Sequence, residues 1–291
     1  MRIGNLNGKL TLIEGNSGEE LAVDVAKASD GEFDADPQEV YDRWDPFLAW
    51  AQATELPPGD PFDPADLGSP APRPRQVLAI GLNYSDHARE SGFAAPQQDP
   101  PVFTKFPSCI TGARTTVHLP ADGRTDWEVE LVAVIGRRAW QVPESEAMSY
   151  LAGYAVGQDL SERGLQLAAT PAQFSLGKSL PGFGPIGPWL VTLDELDDPD
   201  DLELGCSLDG EQVQLGRTKD MIFPVRSLVS RISRSLLLLP GDVIFTGTPS
   251  GVGMGRTPPR FLAAGEELVS HIAGIGELRQ RFVDAEQMSA A

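Results

Sequence analysis

Two glutamates stand at the start of a run that otherwise has the pattern of a buried strand. Glu128 and Glu130 lie two residues apart, and residues 131–135, which follow them, are all apolar. Side chains at positions i and i+2 of a strand project from the same face, so the two carboxylates are expected side by side. A continuous apolar run is typical of a strand buried on both faces. The chain must therefore accommodate two like charges at the end of a buried strand.

Two carboxylates this close repel each other, and burial makes the repulsion costly. A hard divalent cation is the simplest group that offsets both charges. The alternative is a strand whose glutamates simply face water. A further acidic residue, Asp159, follows soon afterwards in the segment 158–161 (Gln-Asp-Leu-Ser), and this third carboxylate favours the cation.

Composition restricts the partners of the chain. Its 291 residues, of which 41% are hydrophobic, suit a globular protein of one large domain or of one domain with a small companion. A formal net charge of −19 argues against nucleic acid and anionic membranes as partners. The negative net charge repels an anionic substrate, so the binding site for such a substrate would need a local cation.

The cellular compartment is predicted from the first residues, the apolar runs and the cysteines. The first residues lack the apolar segment of a signal peptide, and no apolar run approaches the roughly 20 residues that span a bilayer. The two cysteines, Cys109 and Cys206, are far apart and form neither a metal cluster nor a disulfide framework. These features predict a cytoplasmic protein that has no membrane partner.

Changes in composition divide the chain into three parts. Residues 1–56 predict a small α+β domain that contains two short strands and a helix. The helix is expected to begin at Asp36, an N-cap residue. Seven prolines between positions 57 and 74 predict a stiff linker over residues 57–75. Residues 76–291 contain the candidate functional residues and form the predicted catalytic domain.

Short strands dominate the part of the chain after residue 76. A hairpin is predicted over 205–215, around the turn dipeptide Asp209-Gly210. Helical spacing of apolar residues predicts helices over 145–156 and 224–238. Because the helices are few and separated, we expect an α+β fold that is mostly β, and not a regular βαβ repeat.

His87 and Glu90 are three residues apart in a segment that predicts a helical turn, where their side chains can meet. A histidine oriented by a carboxylate is the usual form of a general base. The alternative is a chance pair on a surface helix.

Lys178 lies in a Gly-Lys-Ser sequence, but residue 172 is alanine, so the glycine spacing of a phosphate-binding loop is missing. The lysine is either a surface charge or a partner of the nearby acids.

A glycine-rich turn over residues 246–255 follows a predicted strand. It offers main-chain N–H groups and hydroxyls that suit an anionic group. The glycines lack the spacing of a dinucleotide-binding fingerprint.

Several segments together resemble the fumarylacetoacetate hydrolase superfamily over about residues 76–282. They occur in the family's order: 81–84 (Gly-Leu-Asn-Tyr) with His87 and Glu90, 101–105, 126–136, 158–163, 177–179, 187–189 and 247–253. The resemblance implies a mixed β-roll catalytic domain, usually a homodimer, in the longer bacterial form that has a small N-terminal domain.

The resemblance also implies the composition of the site. It implies one Mg²⁺ or Mn²⁺ per subunit, with Ca²⁺ able to replace it in crystals, held by Glu128, Glu130 and Asp159. Catalytic roles fall to His87 as base, Glu90 as its orienting carboxylate and Lys178 beside the metal. The implied substrate contacts are Tyr84, Gln166 and Thr248.

Two positions depart from the family pattern. Gly164 stands where members often have aspartate. Many members have the sequence Lys-Ser-Phe-Asp, and Pro181 stands at the position of its aspartate. The proline changes the pocket wall beside the metal, so it bears on which substrate is bound.

The residues and the resemblance together predict a metal-dependent hydrolase that cleaves a C–C bond in a 2,4-diketo acid or acylpyruvate-type substrate. In this hypothesis His87 takes a proton from water, the hydroxide attacks the distal carbonyl, and the metal stabilises the departing enolate. One alternative is a decarboxylase, isomerase or lyase that acts on a 2-oxo (di)carboxylate at the same metal site. The other is a non-catalytic metal-binding protein.

Overall fold

The computed structural model describes residues 1–285, so the last six residues of the predicted catalytic domain lie outside the described part. Its 19 strands are β1 (Arg2–Leu6), β2 (Lys9–Glu14), β3 (Leu21–Asp24), β4 (Asp60–Pro61), β5 (Leu67–Gly68), β6 (Val77–Ile80), β7 (Val102–Thr104), β8 (Ile110–Thr111), β9 (Arg114–Leu119), β10 (Thr125–Asp126), β11 (Val129–Ile135), β12 (Leu151–Gln158), β13 (Ser161–Glu162), β14 (Gly184–Val191), β15 (Glu203–Leu208), β16 (Glu211–Arg217), β17 (Val243–Phe245), β18 (Glu267–Ile272) and β19 (Gly276–Asp284). Its α-helices are α1 (Val25–Ala28), α2 (Trp44–Ala53), α3 (Ser85–Glu90), α4 (Arg163–Gln166), α5 (Phe174–Gly177) and α6 (Val225–Ser233).

The strands form two large sheets and one small pair. The first sheet has 12 strands, ten of them in the order β4-β3-β2-β1-β14-β12-β11-β17-β6-β7, with β5 on β1 and β8 on β14. The second has five strands in the order β16-β15-β18-β19-β9, and β10 pairs with β13. Parallel and antiparallel neighbours occur together, since β17 is parallel to β6 and antiparallel to β11. The predicted α+β fold that is mostly β, with a mixed β-roll, is confirmed.

The strand that follows the two glutamates is buried on both faces, as its apolar run predicts. Every residue of β11 is buried. Leu131, Ala133 and Ile135 enter one hydrophobic core, while Val132 and Val134 enter the other. This alternation is the two-residue period of a strand, and it places residues 128 and 130 on a common face.

The predicted helix over residues 145–156 is wrong. A short 3₁₀ turn over Ala147–Tyr150 leads instead into β12, which lies between β11 and β14. A fully buried strand has no polar face, so its apolar residues can imitate helical spacing. Gly153 is the local signal, because a Cβ there would lie 2.2 Å from the carbonyl oxygen of Val191 on the neighbouring strand.

The N-terminal residues join the same sheet as the rest of the chain. β1 pairs with β14 through Arg2 opposite Val191 and Ile3 opposite Leu190. The proline-rich segment is also part of this sheet, because its short strands β4 and β5 pair with β3 and β1. The boundaries at 56 and 75 stay a prediction, and hydrogen-bonded strands continue across them.

Two other predicted elements are present. β15 and β16 form the hairpin around Asp209 and Gly210, whose φ angles of 48° and 84° suit the tight turn of a two-residue hairpin. Helix α6 lies within the predicted range 224–238. No helix within residues 1–285 is long and apolar enough to cross a membrane.

Candidate active site

Three buried carboxylates converge where β11 begins and β12 ends. Glu128 precedes β11, Glu130 is its second residue, and Asp159 follows β12. One carboxylate oxygen of each residue lies within 4.8 Å of the other two. The exposed fractions of the three residues are 5%, 1% and 0%. The antiparallel register of β11 and β12 brings them together, because Val129 lies opposite Gln158.

Two buried lysines neutralise part of this charge. Lys178 Nζ lies 2.6 Å from Glu128 Oε2 and 2.5 Å from Asp159 Oδ2. Lys105 Nζ lies 2.6 Å from the other oxygen of Asp159. Burial alone would lower the pKa of Lys178, but the neighbouring carboxylates outweigh burial and raise it. The lysine is therefore a partner of the acids, and the alternative of a surface charge is excluded.

A buried arginine holds the remaining oxygen of Glu128. Arg163 Nη2 lies 2.7 Å from Glu128 Oε1 and 2.7 Å from Asp126 Oδ2. The Nε group of Arg163 also donates to Asp126 Oδ2, at 2.9 Å. Burial would raise the pKa of Glu128, but Lys178 and Arg163 more than offset it and bring this pKa to about 2. Glu128 is thus an anion held at fixed geometry by two cations.

Glu130 is the carboxylate left without a cationic partner among the ion pairs of the described residues. Burial raises its pKa well above the ordinary value, and the charges of Asp159 and Glu128 add to the rise. The charge of Lys178 opposes this rise, as does the N–H of Gly247, which donates to Oε2 at 2.7 Å. The buried cluster contains four carboxylates (Asp126, Glu128, Glu130 and Asp159) and three cations, which leaves one negative charge in excess.

This donor set fits a hard divalent cation. Carboxylate oxygens are the ligands that Mg²⁺ and Mn²⁺ prefer, and the three that converge are held rigidly by two strands and a buried salt-bridge network. An added positive charge would be most stabilising beside Glu130, whose charge is otherwise opposed by burial. The Glu128–Glu130–Asp159 group could therefore hold such an ion.

His87 and Glu90 meet as their spacing predicts. Both lie on α3, where His87 Nδ1 is 3.0 Å from Glu90 Oε1. His87 is 6% exposed, so the pair is not a chance contact on an open surface. Glu90 also accepts hydrogen bonds from the N–H of Gly251, at 2.9 and 3.1 Å from its two oxygens.

One cavity is lined by the histidine and by two of the three clustered carboxylates, Glu128 and Glu130. Its polar lining residues are His87, Ser91, Glu128, Glu130, Arg163, Gln166, Lys178 and Thr248. Its apolar lining residues are Ile80, Leu82, Phe93, Phe103, Leu167, Phe174 and Met254. Charged and apolar groups thus line a single site.

Two of the three predicted substrate contacts line this cavity. Gln166 Oε1 accepts a 2.7 Å hydrogen bond from Arg163. Thr248 Oγ1 donates to the carbonyl of Val129 at 2.8 Å, so both side chains are oriented by the site itself. Tyr84 is not part of the lining. Burial raises the pKa of its hydroxyl, and its role as a substrate contact stays a prediction.

The glycine-rich turn does bind anions, but those anions are side chains of this chain. Its main-chain N–H groups are used in four strong hydrogen bonds to three carboxylates: Gly247 to Glu130 at 2.7 Å, Gly251 to Glu90 at 2.9 Å, Gly253 to Asp126 at 2.6 Å and Met254 to Asp126 at 2.9 Å. These N–H groups are therefore already occupied, so they do not form a separate site for a ligand.

Sequence reasoning assigned no role to three residues of the network. Lys105 and Arg163 entered only as part of the family resemblance, and Asp126 only as a neighbour of the glutamates. A usable signal for Asp126 was present, because residues 126, 128 and 130 alternate as acids along one strand-like segment. Lys105 and Arg163 lie far from these acids in sequence, so only the tertiary structure reveals their pairing.

Comparison with known proteins shows the family of the chain. The family model described as fumarylacetoacetate (FAA) hydrolase C-terminal matches residues 76–283. A crystal structure of a Mycobacterium smegmatis protein, provisionally named HpcE, is 57% identical with a TM-score of 0.93. The match covers 98% of this chain and 100% of the Mycobacterium smegmatis chain.

Two more distant structures carry names of different reactions. The 5-carboxymethyl-2-hydroxymuconate delta-isomerase of Mycobacterium smegmatis is 31% identical, with a TM-score of 0.76 over 99% of this chain and 100% of its own. The maleylpyruvate hydrolase of Sphingobium sp. SYK-6, solved with manganese(II) and pyruvate, is 25% identical, with a TM-score of 0.80 over 98% of this chain and 100% of its own. The family model spans most of the length of this chain. The chain therefore belongs to the fumarylacetoacetate hydrolase family of hydrolases and isomerases.

Proposed function

We propose that the protein is a divalent-metal-dependent hydrolase that cleaves a C–C bond in a 2,4-diketo acid of the acylpyruvate type. The observation that carries this proposal is the shared cavity, which is lined both by the buried His87 and by Glu128 and Glu130 of the Glu128–Glu130–Asp159 group. A non-catalytic metal protein would need the carboxylates, but it would not need a buried histidine paired with Glu90.

The metal ligands in this proposal are Glu128, Glu130 and Asp159. A divalent cation bound there would supply Lewis-acid stabilisation of negative charge on substrate oxygens. The maleylpyruvate hydrolase relative supports this assignment, because its structure contains manganese(II) together with pyruvate, a 2-oxo acid. We further propose Mg²⁺ or Mn²⁺ as the ion, since the donors are all carboxylates.

The base in this proposal is His87, and the contact with Glu90 determines which nitrogen acts. In the neutral imidazole Nδ1–H donates to Glu90, which leaves Nε2 as the acceptor that takes a proton from water. Glu90 then stabilises the imidazolium that forms. The same proton can return to the leaving carbon atom after the C–C bond breaks, so the histidine is ready for another cycle.

The cavity walls favour an acylpyruvate over a substrate with a second carboxylate. Among the described residues that line the cavity, the permanent cations are Arg163 and Lys178, and each is already bound to two carboxylates. The apolar part of the lining includes phenylalanines and Leu167, which suit an uncharged acyl group.

The second candidate is isomerisation or decarboxylation of a 2-oxo dicarboxylate. The isomerase relative favours it, because 5-carboxymethyl-2-hydroxymuconate, a compound with more than one carboxylate, occurs in that protein's name. Both reactions use stabilisation of enolate charge, so the carboxylate cluster and the lysine would serve either one.

Product identification separates these candidates. Acylpyruvates and 2-oxo dicarboxylates would be incubated with the enzyme and Mg²⁺ or Mn²⁺, with chelator as the blank. The proposal expects pyruvate and a free carboxylic acid, and it expects His87→Ala to abolish turnover while it leaves metal binding intact. His118→Ala is the matched control, because that histidine is exposed on β9. Full activity of His87→Ala on the substrate that is turned over would refute the base assignment.

A further inference from the structure

The glycine-rich turn positions the base as well as the carboxylate cluster. Glu90 lies between His87 on one side and the N–H of Gly251 on the other. The N–H of Val252 is also directed at Glu90, at a longer distance of 3.5 Å. A carboxylate held from two sides has one orientation, whereas one held only by its neighbour on a six-residue helix would be free to rotate away.

The approach of Glu90 to the turn depends on a missing side chain. A Cβ at Gly255 would lie 3.0 Å from Glu90 Cγ, 3.1 Å from Cδ and 3.1 Å from Oε2. These distances are shorter than ordinary van der Waals contacts, so the Glu90 side chain would have to move. The φ of Gly255 lies outside the left-handed region, so its backbone conformation alone would accept alanine.

Gly251 is constrained in a different way. It has a φ of 107°, and a Cβ there would lie 2.2 Å from the carbonyl oxygen of Val213. Substitution of Gly251 would therefore disturb the backbone of the turn itself. Gly255 is the position at which the contact with Glu90 can be changed without such backbone strain.

We propose that Gly255 is a positioning residue, whose missing side chain lets Glu90 dock on the N–H of Gly251 and so fixes the orientation of His87. The docking stands on contacts within the chain, whereas its effect on turnover rests on the proposed function. The turn that fixes Glu90 also holds Glu130 through Gly247, so one segment aligns the base with the carboxylate cluster.

The kinetic test is Gly255→Ala in the metal-loaded enzyme. The proposal expects kcat to fall by roughly tenfold, since the shift of Glu90 is smaller than the misplacement of about 1 Å that can cost about 100-fold. KM should change by less than about twofold, because the carboxylates that would hold the metal and the lining residues Gln166 and Thr248 are untouched. An unchanged kcat on a substrate that the wild-type protein turns over would overturn the proposal.

A double-mutant cycle shows whether Gly255 acts through Glu90. Glu90→Ala removes the side chain that an alanine at position 255 would displace. In that background Gly255→Ala should have no further effect on kcat. If the second substitution lowers kcat by the same factor in both backgrounds, the alanine acts through general damage to the turn, and the positioning role is refuted.

Hydrogen exchange in the metal-free protein tests the docking without any activity. The amide of Gly251 should exchange faster in both Gly255→Ala and Glu90→Ala than in the wild-type protein. Wild-type exchange rates in both variants would overturn the proposal. Faster exchange in the variants, together with no turnover of any candidate substrate by the wild-type protein, would support the docking and contradict the proposed function, so the two failures are distinguishable.

Discussion

The backbone N–H of Asp159 donates a 2.9 Å hydrogen bond to the carbonyl oxygen of Glu128. Two members of the carboxylate cluster are therefore tied through the main chain as well as through Lys178. Asp159 follows the last residue of β12, and Glu128 precedes the first residue of β11. The spacing of the carboxylates is consequently a property of the strand register, and it should persist when individual side chains are changed.

Divalent cations should stabilise the wild-type protein but not Glu130→Gln. The glutamine can still accept the hydrogen bond from Gly247, but it lacks the charge that an added cation would offset. Thermal unfolding with and without Mg²⁺ or Mn²⁺ measures the effect. A Tm that rises with metal in the wild-type protein and in Glu144→Gln, an exposed control, but not in Glu130→Gln is the expected result. An equal rise in all three proteins would contradict the assignment.

The stability of the metal-free protein should depend on pH through Glu130. The folded state raises the pKa of this carboxyl above its ordinary value of 4.5, so the folded protein binds more protons than the unfolded chain above that pH. The stabilisation is complete below pH 4.5 and is lost as the pH rises through the raised folded value.

Urea unfolding measures this pH dependence, with Glu130→Gln as the comparison variant. Urea titrations of metal-free protein at several pH values above 4.5 should show a decline in unfolding free energy that is weaker in Glu130→Gln. The contribution of Glu128 has the opposite sign, since its folded pKa of about 2 stabilises the protein above pH 4.5 and is lost as the pH falls towards 2. Identical pH profiles for wild type and Glu130→Gln would show that Glu130 is not perturbed.

Lys105→Met should destabilise the fold. Its ammonium group is fully buried and binds Asp159 together with the carbonyl oxygens of Lys178 and Phe183. Removal of one member of a buried ion pair leaves the other charge uncompensated, with a loss of about 3 kcal/mol. Denaturant unfolding measures it, with Lys219→Met as the control because Lys219 is exposed. A metal-free stability equal to that of the wild type would contradict the role of Lys105.

Leu167→Arg should shift the preference of the enzyme towards substrates with a second carboxylate. Leu167 is one of the apolar residues that line the cavity and is 41% exposed, so an arginine has access to solvent there. The ratio of kcat/KM for a 2-oxo dicarboxylate to that for an acylpyruvate should rise about tenfold, as expected for one new charged hydrogen bond. Leu215→Arg, at an exposed leucine outside this cavity, should leave the ratio unchanged. A ratio that is unchanged in Leu167→Arg would indicate that the second carboxylate of the substrate does not lie near Leu167.

Local chemistry made much of the site predictable. The two-residue spacing of Glu128 and Glu130, together with the apolar run after them, specifies a shared face and a buried strand. The three-residue spacing of His87 and Glu90 specifies a contact on one helical turn. Each of these inferences needs only the periodicity of a single element.

Long-range contacts account for what was missed. Lys105 reaches Asp159 across 54 residues of sequence, and no local pattern encodes such a pairing. The turn over residues 246–255 was correctly expected to suit anions, but its partners Glu90 and Asp126 come from more than 100 residues earlier. The pattern of β12 predicts a helix because burial on both faces removes the polar alternation that identifies a strand.

The most direct test of the proposed function is the position of oxygen from water in the products. An acylpyruvate would be turned over with Mg²⁺ in H₂¹⁸O, and the products would be identified by mass spectrometry after correction for exchange without enzyme. Attack of a His87-activated water on the distal carbonyl predicts pyruvate and a carboxylic acid that carries one ¹⁸O atom from water. Release of CO₂, or an isomer without ¹⁸O in place of the acid, would contradict hydrolysis.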